Sequence, residues 1–257
     1  MKKSIGFIGG GRITKIFLHA FANKKIELSS VFINDTDQNV FKNLKEKFPY
    51  IIESDLIETA KQDIVFIALH PPVIQDTLSK ISDLVNKDSI IISLAPKISI
   101  EKISNALNNS NVVRMIPNAT SVINEGINPV CFSKDCHSKS DLCELLSILG
   151  YTFETEESKL EAYAIISAML PTYFWFQWKE MIEIGKQMGL TDTESNIAVQ
   201  KTLRASLNTM FNSTLTQDQV FDLIPVKPIG EHEKEIKEIY RTKLIGLFEK
   251  IRPQTIK

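Results

Sequence analysis

The stretch IGFIGGGRITKIF, residues 5–17, decides the fold. Its first four residues, Ile5–Ile8, are a short apolar run of strand character. Gly9, Gly10 and Gly11 follow at once, and Ile13, Ile16, Phe17, Ala20 and Phe21 then recur at helical spacing. In Gly9-x-Gly11 one glycine permits the tight turn, and the other lets the backbone approach a pyrophosphate. Such a group is held at the helix N-terminus, here Arg12 and Ile13, by amide hydrogens and the helix dipole. The third slot of G-x-G-x-x-G/A holds Thr14, so the fingerprint is incomplete.

Outward from this loop, Leu28–Ile33, Ile64–Leu69, Ser89–Leu94 and Val112–Ile116 read as further strands, rich in Ile and Val. Strands apolar on both faces belong to a parallel sheet covered by helices on both sides. The alternation predicts an α/β fold, a Rossmann-type doubly wound, mainly parallel sheet over residues 1–154, with ligands at the carboxyl ends of its strands. Near residue 155 the pattern turns helical. Ser158-x-x-Glu161, Thr191-x-x-Glu194 and Thr216-x-x-Gln219 read as capping boxes, and a last helix follows Pro228. Residues 155–257 are expected to form an all-α domain. Its stretch Ala162–Phe176 is too apolar for a small lone domain to hide, so burial in a homodimer is expected.

Asn34 and Asp35 end the second strand, about 20 residues past the glycine loop. A carboxylate there accepts hydrogen bonds from the adenosine ribose and repels a 2′-phosphate. Nothing basic follows in Thr36–Asn39, so NAD is expected over NADP. Two other readings stay open: Asp35 caps the next helix while Asn34 contacts the ribose, or Arg12 reaches a 2′-phosphate.

Composition narrows the partners. A formal net charge of −1 disfavours nucleic acid and anionic membranes. The longest apolar stretch is shorter than the ~20 residues a bilayer span needs, and Pro171 interrupts it. Cys131, Cys136 and Cys143 are an odd set without paired CxxC spacing, which fits a reducing, cytoplasmic setting. Cys136-His137 lacks the four closely spaced ligands of a zinc site, so no metal is expected.

Several segments, kept in order, resemble the pyrroline-5-carboxylate reductase family. They are the glycine loop, DIVFIALHPPVIQDTL (63–78), SIIISLAPKISIEKI (89–103), VVRMIPNATSVINEGI (112–127), and LPTYFWF (170–176) with MGL (188–190) beyond it. The resemblance implies a nicotinamide-dependent reductase of a cyclic imine with a helical dimerisation domain. It also places Leu69, His70, Pro71, Ala95 and Asn118 beside the cofactor. His70 stands where the family has lysine, Pro96-Lys97 where it has alanine-glycine, and Ala168–Tyr173 where it has a glycine-serine-glycine-proline-alanine-tyrosine run. The family's substrate loop carries threonines whose hydroxyl contacts the imine, whereas this chain has LIPVKPIGEHE (223–233). Proline and isoleucine cannot donate that bond. Lys227 is the candidate anchor for a substrate carboxylate, and His232 the candidate acid. The expected activity is hydride transfer to a small carboxylate-bearing cyclic imine, by default 1-pyrroline-5-carboxylate. The alternatives are a related reductase of another imine or ketone, and a non-catalytic dinucleotide-binding dimer.

Overall fold

The computed structural model describes residues 3–137 and 139–253. Its sheet has eight strands: β1 (Ile5–Ile8), β2 (Val31–Asn34), β3 (Ile51–Glu53), β4 (Ile64–Ile67), β5 (Ile90–Ser93), β6 (Val112–Met115), β7 (Gly126–Phe132) and β8 (Gly150–Glu154). They lie in the order β3-β2-β1-β4-β5-β6-β7-β8. β1 to β6 run parallel, β7 reverses against β6, and β8 follows β7. The chain winds one way from β1 to β3 and the other way from β4 onward. The switch point therefore falls between β1 and β4, where open α/β sheets bind ligands.

The two-residue period of each strand feeds two cores. Ile5, Phe7, Ile33, Ile64, Phe66 and Ile92 face one side, and Ile8, Val65, Ile67 and Ile91 the other. Helices Arg12–Asn23, Gln38–Lys47 and Lys139–Ser147 cover the first face, and Pro71–Ile81 and Ile100–Leu107 the second. Phe7 stacks on Phe66 at 4.7 Å, and Phe17 meets Phe66 edge-on at 5.5 Å. These rings fix the first helix against β1 and β4, and so set where the glycine loop emerges.

Contacts divide the chain into two compact units. One runs from Met1 to Ala168 and includes Leu247–Lys257; the other is Met169–Gly246. The first unit extends past residue 154, and a buried ion pair ties that extension to the sheet beside buried Leu160, Ala164 and Ile165. Arg114 of β6 is 1% exposed, and its guanidinium bonds Glu161 at 2.5 Å and Glu157 at 3.0 Å. The capping box read at Ser158–Glu161 consequently does not form. Lys159 caps Leu160–Tyr163 without a side-chain bond, and the Glu161 carboxylate is spent on Arg114. The other two boxes form as read, Thr191 with Glu194 and Thr216 with Gln219.

In the second unit, helices Leu170–Gln187 and Asp192–Asn212 pack closely. A Cβ on Gly185 would sit 2.3 Å from Ser195 Oγ, which donates to the Ile182 carbonyl at 2.7 Å. Tyr240, on helix Glu233–Ile251, packs against Tyr173 and accepts a bond from Gln177 Nε2 at 3.1 Å. Among the described residues, no helix is long and apolar enough to cross a membrane.

Candidate dinucleotide site

Register fixes the site. Ile8 pairs with Asn34 on one side and Ile67 on the other, so the chain leaves β1 between the carboxyl ends of β2 and β4. Gly9 turns there at φ +104, in the region that favours glycine, and a Cβ would lie 2.5 Å from the Ala68 carbonyl oxygen. Its N–H donates to Asn34 O at 2.8 Å. Thr14, fully buried in the slot where the fingerprint has Gly or Ala, donates its hydroxyl to the Gly9 carbonyl at 2.5 Å. The departure from the pattern is thus a staple across the loop.

Gly11 differs from Gly9. Its φ is an ordinary −68, it caps helix Arg12–Asn23 with no side-chain bond, and a Cβ there would meet nothing within 4 Å. First-turn amides have no partner inside a helix. A helix end with open space above it and no side chain capping it fits a pyrophosphate. Arg12 is exposed and Ile13 packs against the core beneath.

Asp35 serves the loop from the other wall. Its Oδ2 accepts the Gly10 N–H at 2.7 Å, and its Oδ1 accepts the Asp37 N–H at 2.9 Å. Asp37, not Asp35, caps helix Gln38–Lys47. Asn34 Nδ2 donates to the Ser54 carbonyl at 3.1 Å. Gly9, Asn34, Asp35 and Leu69 line one cleft of about 290 Å³, whose far wall is Val73, Asp76, Thr77 and Lys80 of helix Pro71–Ile81. That volume is at the low end for small-ligand pockets and suits one half of a dinucleotide. A larger hollow of about 570 Å³ beside Phe21, Leu28 and Tyr50 lies at the amino ends of the strands, away from the phosphate cradle. Burial there pushes the Tyr50 phenol up to about 12.

The remaining sequence candidates follow along the same carboxyl edge. Exposed His70 caps helix Pro71–Ile81 through its backbone, and Pro71 occupies the first turn, where a missing N–H costs nothing. Buried Ala95 follows β5. Two residues further, Lys97 holds φ +73, a conformation that suits the glycine of the resembled family. Asn118, 4% exposed after β6, spends its Oδ1 on the N–H and hydroxyl of Thr120 at 3.0 and 2.9 Å. It thereby caps a short 3₁₀ turn. Lys227 and His232 belong to the second compact unit, and both are exposed. His232 stands 3.5 Å from a Glu231 oxygen and 3.7 Å from a Glu235 oxygen.

Sequence reading missed three contributors. Lys80 lies far beyond Thr36–Asn39 in sequence, although Val73, Asp76, Thr77 and Lys80 share one helix face by spacing. Arg114, a charge inside the apolar run VVRMI, was the visible sign of a buried partner. Asn128 is fully buried in β7, with its Oδ1 accepting from Ser121 Oγ at 3.1 Å and Asn118 N at 3.3 Å.

Fold and cradle together define a Rossmann-type dinucleotide-binding protein. Residues 4–97 match a family model described as NADP oxidoreductase, coenzyme F420-dependent. Over nearly its whole length the chain is, more narrowly, similar to the pyrroline-5-carboxylate reductases. It is 24% identical to that enzyme of Corynebacterium melassecola over 253 residues, 95% of this chain and 93% of the relative. With the Escherichia coli K12 enzyme it shares 26% over 196 residues, 74% of this chain and 72% of the relative. The crystal structure of Plasmodium falciparum pyrroline carboxylate reductase with NADP bound superposes at a TM-score of 0.82 with 22% identity, covering 97% of each chain.

Proposed function

We propose that this protein reduces a small carboxylate-bearing cyclic imine at the expense of NAD(P)H, with 1-pyrroline-5-carboxylate as the default substrate. The open helix end at Gly11, on a loop that Thr14 holds at Gly9 and Asp35 at Gly10, is the observation that carries the reading. A reduced nicotinamide held there would supply a hydride to the imine carbon, with the C=N electron pair going to nitrogen. A nitrogen protonated beforehand needs no further acid, so the protein's task is positioning. Gly9, Gly11, Arg12 and Ile13 hold the pyrophosphate. Asn34 and Asp35 lie at the ribose of the adenosine half. Leu69, His70, Pro71, Ala95 and Asn118 border the remainder.

The helical part, residues 155–257 by sequence, supplies the substrate side and the dimer contact. Phe176, Phe211 and Val226 are 67%, 73% and 72% exposed in the single chain, which supports burial against a second copy. Lys227, on a turn closed by Gly230 N–H to its carbonyl at 3.0 Å, anchors the carboxylate, and His232 is the reserve acid. Three free cysteines support a cytoplasmic setting.

A second reading is favoured by the loop itself. Pro225–Ile229 offers no hydroxyl, which supports a related imine or ketone of different shape. Following NAD(P)H oxidation against cyclic imines and keto acids separates the readings. Turnover of pyrroline-5-carboxylate at an ordinary rate rejects the second. Tight cofactor binding with no turnover of any of them rejects both and leaves a non-catalytic dimer.

A further inference from the structure

Lys80 lies in the last turn of helix Pro71–Ile81 and lines the cleft that also holds Asn34, Asp35 and Thr36, where the ribose of the adenosine half would lie. Val73, Asp76, Thr77 and Lys80 are spaced three and four residues apart, so one helix face meets the cleft. Lys80 has no ion-pair partner among the described residues. Across from it, both Asp35 oxygens are engaged by backbone N–H groups, of Gly10 at 2.7 Å and Asp37 at 2.9 Å. A carboxylate so engaged keeps its charge, but its orientation is fixed by the loop and both oxygens already accept a bond. It is therefore a poor acceptor for the ribose hydroxyls of NAD, the contact that would select against NADP. The charges lining the cleft are Asp35, Asp76 and Lys80. With Asp35 committed to the loop, Lys80 is the one available cation on that lining.

We propose that Lys80 discriminates between the cofactors by pairing with the 2′-phosphate of NADP, and that Asp35 is a loop pin which leaves NADP admitted. This rests on the dinucleotide reading above and reverses the preference for NAD drawn from Asp35 alone. Lysine acts here as a point charge at a partly exposed site, so its effect is modest and sensitive to salt.

Calorimetric titration of NADPH and NADH into the full chain and its variants tests the proposal. Lys80→Ala should weaken NADPH about five- to tenfold and NADH less than twofold, while Lys80→Arg keeps both. The wild-type NADPH affinity should fall more steeply with salt than that of NADH. Asp35→Asn should weaken both cofactors, because an amide accepts at only one of the two oxygens' positions. Equal losses for both cofactors in Lys80→Ala, no loss in either, or a selective gain of NADPH in Asp35→Asn overturns the proposal. If neither dinucleotide binds the wild-type chain, the dinucleotide reading falls with it. If both bind and Lys80→Ala does not separate them, only the assignment of Lys80 falls.

Discussion

Replacing Gly9 and Gly11 by alanine, one at a time, separates the loop's architecture from its ligand contact. At Gly9 an alanine must adopt φ +104, which costs about 1–2 kcal/mol for an L-residue. Its Cβ would also stand 2.5 Å from the Ala68 carbonyl oxygen, a backbone atom in the turn after β4 that cannot swing away. Relieving that contact strains the loop by a comparable amount, so Gly9→Ala should destabilise by about 2–4 kcal/mol. For a chain of this size that lowers Tm by about 4–16 °C. At Gly11 the backbone is ordinary and a Cβ meets nothing within 4 Å, so only the helix cap is weakened, by about 1 kcal/mol or less. The methyl would nevertheless fill the space over the helix end, so dinucleotide affinity should fall at least about tenfold. Denaturant titration and calorimetry on both variants read the two effects. A Gly11→Ala variant that binds like wild type, or a Gly9→Ala variant that melts like wild type, refutes the reasoning.

Other perturbations probe separate links. Glu161→Ala leaves the Arg114 guanidinium buried with one partner fewer, and should cost about 3–5 kcal/mol in a urea titration. A loss below about 1 kcal/mol would show that the pair does not hold the end of the first unit to β6. Lys97→Gly relieves a side chain held at φ +73 and should stabilise by about 1 kcal/mol, read as a raised urea midpoint. Burial holds the Tyr50 phenol at about 12 against an ordinary 10.0, so the folded chain keeps a proton that the unfolded chain loses. Stability from this group is complete below pH 10 and declines as pH climbs from about 10 to 12. Tyr50→Phe should flatten that decline in a series of denaturation midpoints. Lys227→Ala should raise KM and leave kcat in place, and unchanged kinetics would discard the carboxylate anchor.

What could be read from the sequence follows how local each signal is. β1, β4, β5 and β6 are largely apolar runs, β6 broken only by Arg114, and period and composition sufficed to place them. β2 begins at Val31, three residues inside the expected run, and of Leu28–Ser30 only the Ser30 carbonyl reaches β1, accepting from Ile5 N at 2.9 Å. β3 has only three residues at a sheet edge, too few to show a period. β7 carries Asn128 and Pro129, which argue against a strand. Pro129 is tolerated because it lies opposite Ile116, just past the end of β6, where its carbonyl still accepts from Ile116 N at 3.1 Å and only one terminal ladder bond is lost. The glycine cradle was legible because residues 9–14 are contiguous. The second duty of Asp35 and the arrival of Lys80 join residues far apart in sequence, and only the sheet order brings them together. Ser158–Glu161 shows the same effect in reverse. A good local cap lost to a tertiary partner, since a buried guanidinium gains more from the carboxylate than an exposed helix end does.

The most direct test of the proposed function is isotope transfer. The protein is incubated with 1-pyrroline-5-carboxylate and NADPH or NADH deuterated on the hydride-donating face, and the product is read by mass spectrometry. Proline carrying one deuterium at the former imine carbon is the predicted result. Unlabelled product, or no product from any carboxylate-bearing cyclic imine while the cofactor binds, contradicts it.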